Sequence, residues 1–248
     1  MTTLQEGPFS LQLKMGTKKA HTMAENTTFV KQFLKGVVNK SNYRQLIANF
    51  YFVYQAMESE MERLKDDPYV GPIRLNGLAR KDALIADCKY FWGDDWKEQI
   101  YPTEATQQYV NRIKEVANDN PKLLIAHHYT RYMGDLSGGV ILGGIAKNAL
   151  DLDDEGLAFY EFPEITDKKG FKDSYRRVLD TMMKVDQGDV NAIVVEANYA
   201  FRLNMYMFEE IQGEASISFR KLVLSALKGF VEEITNCENN FDNFEEGC

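Results

Sequence analysis

The chain has little cysteine, little histidine, no apolar run of membrane length and no excess of positive charge. Its three cysteines, Cys88, Cys237 and Cys248, form neither a C-x-x-C pair nor a zinc spacing. That excludes a disulfide scaffold and a structural zinc site, and it suits a reducing cytosol or a plastid stroma. The longest apolar stretches meet a charge well before the roughly 18 residues that a membrane span needs, so no membrane anchor is expected. The opening MTTLQEGPFSLQLK has neither the basic-then-apolar order of a signal peptide nor the arginine content of a transit peptide. The formal net charge is −8 and no basic stripe exceeds a few residues, which argues against nucleic acid as a partner. Much of the negative charge is terminal. Glu232, Glu233, Glu238, Asp242, Glu245 and Glu246 fall in a tail without lysine or arginine, and residues 232–248 read as a solvated, disordered end.

What is present is helical periodicity, with no convincing alternating strand. The spacing predicts helices from about Ser10 to Glu25, over FVKQFLKGVV, and over NYRQLIANFYFVYQAMESEMERLK behind a Ser41 cap. Others are expected over RKDALIADCKYFW, TEATQQYVNRIKEVAN, a glycine-bearing segment starting at Pro121, DKKGFKDSYRRVLDTMM, and about Val190 to Gln212. A last amphipathic helix covers about Ala215 to Glu233. Linkers are short and no repeat of fixed period occurs. These features give an all-α, single-domain helical bundle, with residues 1–10 as an extension, 11–231 as the domain and 232–248 as the tail.

One stretch is anomalous. HHYTRYMGDLSGGVILGGIAKNAL, residues 127–150, reads as a helix yet carries Gly134, Gly138, Gly139, Gly143 and Gly144. Each glycine in a helix interior costs about 0.8–1 kcal/mol relative to alanine, so five cost roughly 4–5 kcal/mol. On a helical wheel Gly134 and Gly138 lie about 40° apart, as do Gly139 and Gly143 on the adjoining face. The result is a strip of bare backbone beside Asp135 and Ser137. Close helix packing is one explanation; a flat, rigid ligand lying on a helix able to kink is the other.

If the flat ligand is a heme, one of the chain's three histidines, His21, His127 and His128, should bind its iron. His127 precedes Gly134 by seven residues, roughly 10 Å along the same helix, so it and the strip cannot both lie over one iron. His21 is on another helix, and Glu25, at i+4, is placed to accept a proton from its second ring nitrogen. His127 and His128 are expected to make structural hydrogen bonds.

The runs LKMGTKKAHTMAEN, YFVYQAMESEMERLK, LLIAHHYTRYMGDLSGG, FYEFPEI, FKDSYRR and EANYAFRLNMYMFEEI resemble the heme oxygenases, in order and spacing, over most of residues 11–213. The resemblance is to the anchorless cyanobacterial and algal enzymes. It implies cleavage of heme b at the α-meso carbon to biliverdin, carbon monoxide and ferrous iron. The reaction takes O2 and electrons from ferredoxin or another acidic reductant, and a bilin reductase is a possible consumer of the product.

The same resemblance makes His21 the axial ligand supported by Glu25, and the helix from about Tyr129 to Leu150 the distal wall. Gly134, Gly138 and Gly139 would approach the ligand, and Asp135, Arg131 and Tyr54 would hold a proton-delivering water network. Lys14, Thr17, Tyr129, Lys172 and Arg176 match positions at the propionates, and Phe33, Phe201, Asn204 and Phe208 match the pocket lining. This chain departs from the family at Val140 and Gly143–Gly144, where a glutamine and a lysine pair are common. That loss leaves Lys18, Lys19, Lys172, Arg176 and Arg177 as the basic patch for a reductant.

Three other readings compete. A di-iron bundle needs Glu-x-x-His pairs, and none occurs. A thiaminase-like site could use Cys88, but IADCKYFWGDD offers no evident base. A heme carrier would share His21 with the enzyme but has little use for Asp135 beside five glycines.

Overall fold

Apolar side chains at helical spacing bury one face of each element, and turn chemistry sets most of the ends. In α1, Phe9–Glu25, the buried Phe9, Leu13 and Thr17 recur every fourth residue. Thr27 then caps α2, Thr28–Leu34, by accepting from the Val30 amide. The computed structural model describes residues 7–182 and 186–212. The expected helix at Ala215–Glu233 and the tail at 232–248 lie outside the described residues, as does most of the 1–10 extension; Phe9 and Ser10, assigned to that extension, already belong to α1.

Helix α2 stops at Leu34, short of the expected Val38, because Gly36 turns left-handed at φ 74°. The long α3, Lys40–Arg63, is capped by Asn39, whose side chain accepts from the Ser41 and Asn42 amides. Ser41 therefore lies inside the first turn and donates, instead of capping as expected; the carboxamide two residues earlier reaches both free N–H groups. Helix α4, Lys81–Trp92, has no cap from its own preceding residue. Glu58 of α3 supplies it, accepting from the Arg80 amide at 2.6 Å and the Lys81 amide at 3.3 Å. Gly93, at φ 79°, ends α4.

After the short α5, Trp96–Gln99, comes α6, Glu104–Asp119. The glycine-bearing segment is not one helix from Pro121. It runs as a 3-10 turn at Pro121–Leu123, α7 at Leu124–His128, a π-helical turn at Tyr129–Met133, and α8 at Gly134–Leu150. Helix α9 spans Lys168–Thr181 behind the Asp167 cap, and α10 spans Gln187–Gln212. Among the described residues there is no strand, and no helix is long and apolar enough to cross a membrane.

Helix α3 packs between α4 and α6, and α10 lies along α1 while also touching α6 and α7. The core gathers around α3, where Tyr43, Ile47, Val53, Tyr54 and Met57 are fully buried. Helix α8 is held at the periphery, between α2, α9 and the turn at Ala158–Tyr160. That placement leaves part of its surface without a protein neighbour.

Candidate functional site at the glycine helix

The π-turn at Tyr129–Met133 places an extra residue in the helix immediately before Gly134. Its register brings Arg131 and Asp135 together although they lie on either side of the junction: Arg131 Nη2 donates to Asp135 Oδ1 at 3.1 Å. Tyr54 of α3 donates to the other carboxylate oxygen, Oδ2. Arg131 closes the cluster, donating through Nε to the Tyr54 hydroxyl at 3.0 Å and through Nη1 to Asn204 Oδ1 at 2.7 Å. The amide of Asn204 donates in turn to the Tyr109 hydroxyl at 3.3 Å. All of these side chains are buried.

Burial decides their electrostatics. It pushes the Asp135 carboxyl above the usual carboxylate range, against the pull of Arg131, the Tyr54 hydrogen bond and Arg80. Burial also lowers the Arg131 guanidinium, but Tyr54, Asp135 and Tyr109 more than reverse this, and the group stays cationic. Asp135 is thus a buried carboxyl group whose ionisation burial opposes, fixed in orientation by two donors. Tyr54, Arg131 and Asp135, expected to hold a water network, contact one another directly.

The five glycines divide into two sets. A Cβ added to Gly134, Gly138 or Gly144 would meet nothing within 4 Å. At Gly143 it would stand 3.0 Å from Tyr160 Cβ and 3.1 Å from Cγ, and at Gly139 it would lie 3.6 Å from the same ring. Gly139 was expected in the ligand-facing strip; its bare side faces Tyr160 instead, because the Ala158–Tyr160 turn packs the aromatic ring against that face of α8. Asp87 fixes this turn by accepting from the Ala158 and Phe159 amides, both at 2.8 Å. Close packing therefore accounts for Gly139 and Gly143, while Gly134, Gly138 and Gly144 present open backbone.

His21 lies exposed on α1, edge-on to Phe201 at 5.6 Å between ring centroids. Its Nδ1 stands 3.5 Å from Glu25 Oε2, an ion-pair distance longer than a good hydrogen bond. The expected support is therefore present but loose. Nε2 has no hydrogen-bond partner among the described residues. Of the residues matched to the propionates, Lys14 is exposed and Thr17 is buried, bonding Leu13 O at 2.7 Å. Tyr129 lies near Thr17 and Arg176. Lys172 donates to Ser137 Oγ at 3.2 Å, and Arg176 pairs with Asp173 at 2.6 Å.

Among the pocket-lining expectations, Phe33 is buried in an aromatic cluster with Phe29 and Tyr43, and Phe208 stacks on Phe29. Asn204 belongs to the buried polar cluster. His127 and His128 make the structural bonds expected of them, to Glu196 at 2.9 Å and to Tyr175 at 2.7 Å. Sequence reasoning missed Tyr109 and the pair Tyr132–Glu58, joined at 2.9 Å behind Tyr54. The available signal was that Glu58 follows Tyr54 by one turn of the same helix; Tyr109 had none.

These features fit a flat group with a metal at its centre. Backbone at Gly134 and Gly138 is bare, with nothing within 4 Å of an added Cβ, and an imidazole nitrogen at His21 is unengaged. The residues also suit a heme better than a bare metal ion, since among the described residues no three of His, Cys, Asp or Glu are grouped as ligands.

Comparison with known proteins agrees. The family model for heme oxygenase matches residues 7–210. The heme oxygenase of Rhodella violacea is 50% identical over 226 residues, 91% of this chain and 94% of its own length. Heme oxygenase 1 of Nostoc sp. is 54% identical over 203 residues, 82% of this chain and 85% of its own. The crystal structure of heme oxygenase-1 from the cyanobacterium Synechocystis in complex with heme superposes with a TM-score of 0.81 at 48% identity, covering 89% of this chain and all of that one. The chain belongs to the heme oxygenase family.

Proposed function

We propose that the chain, a heme oxygenase by family, cleaves heme b at the α-meso carbon to biliverdin IXα, carbon monoxide and ferrous iron. We infer that it draws electrons from reduced ferredoxin or a similar acidic donor and feeds bilin synthesis in a cyanobacterial cytoplasm or a plastid stroma. Heme supplies the iron at which O2 is activated and is itself the substrate. His21 would be the axial ligand, steadied by Glu25 at Nδ1. Gly134 and Gly138 keep side chains away from the reacting edge. Asp135, buried and held by Tyr54 and Arg131, stores a proton and releases it toward that edge. Lys14, Thr17, Tyr129, Lys172 and Arg176 would orient the propionates, and Lys18, Lys19 and Arg177 extend the basic surface toward an acidic donor.

The observation that carries this reading is the juxtaposition of open backbone at Gly134 and Gly138 with a carboxyl group at Asp135 whose every held contact lies inside the protein. A carrier needs the first feature and has no use for the second. Incubating the heme-loaded protein with reduced ferredoxin in air discriminates: loss of the Soret band with growth of a bilin absorption supports the enzyme, and an unchanged heme spectrum supports a carrier.

A further inference from the structure

His128 and Tyr175 are buried, chemically capable groups that the proposed reaction does not use. His128 ends α7, immediately before the π-turn, and Tyr175 is in the middle of α9. Their rings are parallel within 1°, with centroids 5.4 Å apart, and His128 Nδ1 meets the Tyr175 hydroxyl at 2.7 Å. Burial drives the His128 pKa down to about 3, so the imidazole is neutral, and in the tautomer protonated at Nε2 its Nδ1 accepts from the phenol.

Among the described residues, two side-chain hydrogen bonds join α9 to the 124–150 segment: this buried one and the exposed Lys172–Ser137 bond. At its far end α9 is tied to α1, where Asp180 accepts from both the amide and the hydroxyl of Ser10. A helix held only at that end can still roll. Tyr175 removes this freedom, because its hydroxyl must point at one buried nitrogen. Lys172 and Arg176 lie about 60° and 100° around the helix from Tyr175, so its orientation sets theirs. Tyr129, next to His128, reaches Thr17 of α1 and lies near Arg176, which places the lock beside the three elements that carry the proposed propionate contacts.

We infer that His128 and Tyr175 are positioning residues that fix the roll of α9 and thereby determine which meso edge of heme is cut. The inference rests on the proposed role of Lys172 and Arg176 at the propionates.

The test uses Tyr175→Phe, His128→Phe and His128→Gln, the last retaining an acceptor for the phenol, with Lys172→Ala/Arg176→Ala as a control. Two readouts are taken on the full chain: the affinity for ferric heme by Soret titration, and the isomer composition of biliverdin after turnover, by chromatography. Tyr175→Phe and His128→Phe are expected to weaken heme binding by about 3- to 10-fold and to yield a second isomer at roughly a tenth or more of product. His128→Gln restores the single isomer, and combining the two phenylalanine changes adds nothing beyond either. A single isomer from both phenylalanine variants overturns the inference while leaving the cationic mouth intact if the control scrambles the product. If the control also leaves affinity and isomer unchanged, the propionate assignment fails and the inference with it.

Discussion

Asp135 holds a carboxyl group where ionisation is costly, yet two donors keep it in one orientation. That combination suits proton delivery and is poorly explained by stability alone, since an i,i+4 ion pair contributes only about 0.2–0.5 kcal/mol. Asp135→Ala is expected to bind heme but to lower the bilin yield by on the order of 100-fold, with the heme absorption persisting in its place. An undiminished yield removes Asp135 from the mechanism. His21 is exposed and bonds only loosely to Glu25, so His21→Ala should leave the thermal midpoint nearly unchanged while altering the ferric heme spectrum; an unaltered spectrum places the axial ligand elsewhere. At this scale the sequence was informative where chemistry is local. His21 and Glu25 share one helix, and Arg131 and Asp135 are one turn apart. Tyr109 and Asn204 meet only through the fold, and no spacing in the chain announces that meeting.

At the scale of one element, α8 does two jobs with one residue type. Gly138 faces open space, so Gly138→Ala should raise helix stability by about 1 kcal/mol and, on the proposed placement of heme, still depress turnover, because the methyl would enter the heme's side. Gly143→Ala is the converse. Its Cβ would press within 3.2 Å of three Tyr160 atoms, on a side chain that is itself buried. Overpacking costs about 1–3 kcal/mol, which exceeds the gain in helix propensity, so this variant should be destabilised with turnover per folded molecule little changed. Chemical denaturation with parallel activity assays checks both, and a reversed order of stabilities contradicts the division. The wheel placed all four of Gly134, Gly138, Gly139 and Gly143 in one strip because it knows nothing of Tyr160, which arrives from a separate turn. The π-turn was equally hidden: no proline marks it, and only the packing of Tyr132 and Arg131 against α3 and α10 selects it.

Across the whole molecule, α6, α7 and α10 are tied together at Glu196. Arg112 donates to both its oxygens, at 3.0 and 2.6 Å, and His127 meets it at 2.9 Å. Burial raises the Glu196 carboxyl, but the bonds from His127 and Arg112 outweigh it and hold the pKa at about 2, below its ordinary 4.5. A depressed carboxylate stabilises the fold above its unfolded pKa, and that contribution, on the order of 3 kcal/mol, is lost as pH falls from about 4.5 toward 2. Glu196→Gln should therefore flatten the acid limb of stability against pH; an unchanged limb would show that the triad contributes nothing to folding. The all-α class and the helix order were legible from periodicity, since each long helix carries its own amphipathic pattern. The polar joints between helices were not, because each depends on partners from separate elements that only the fold brings together, as with His127 and Glu196.

The central claim is that heme lies between the imidazole of His21 and the open backbone of α8. A crystal structure of the ferric heme complex tests it most directly. The account predicts His21 Nε2 bonded to iron and the backbone of Gly134 and Gly138 nearest the opposite face of the ring. Iron bonded to any other side chain, or those two glycines covered by protein, would contradict it.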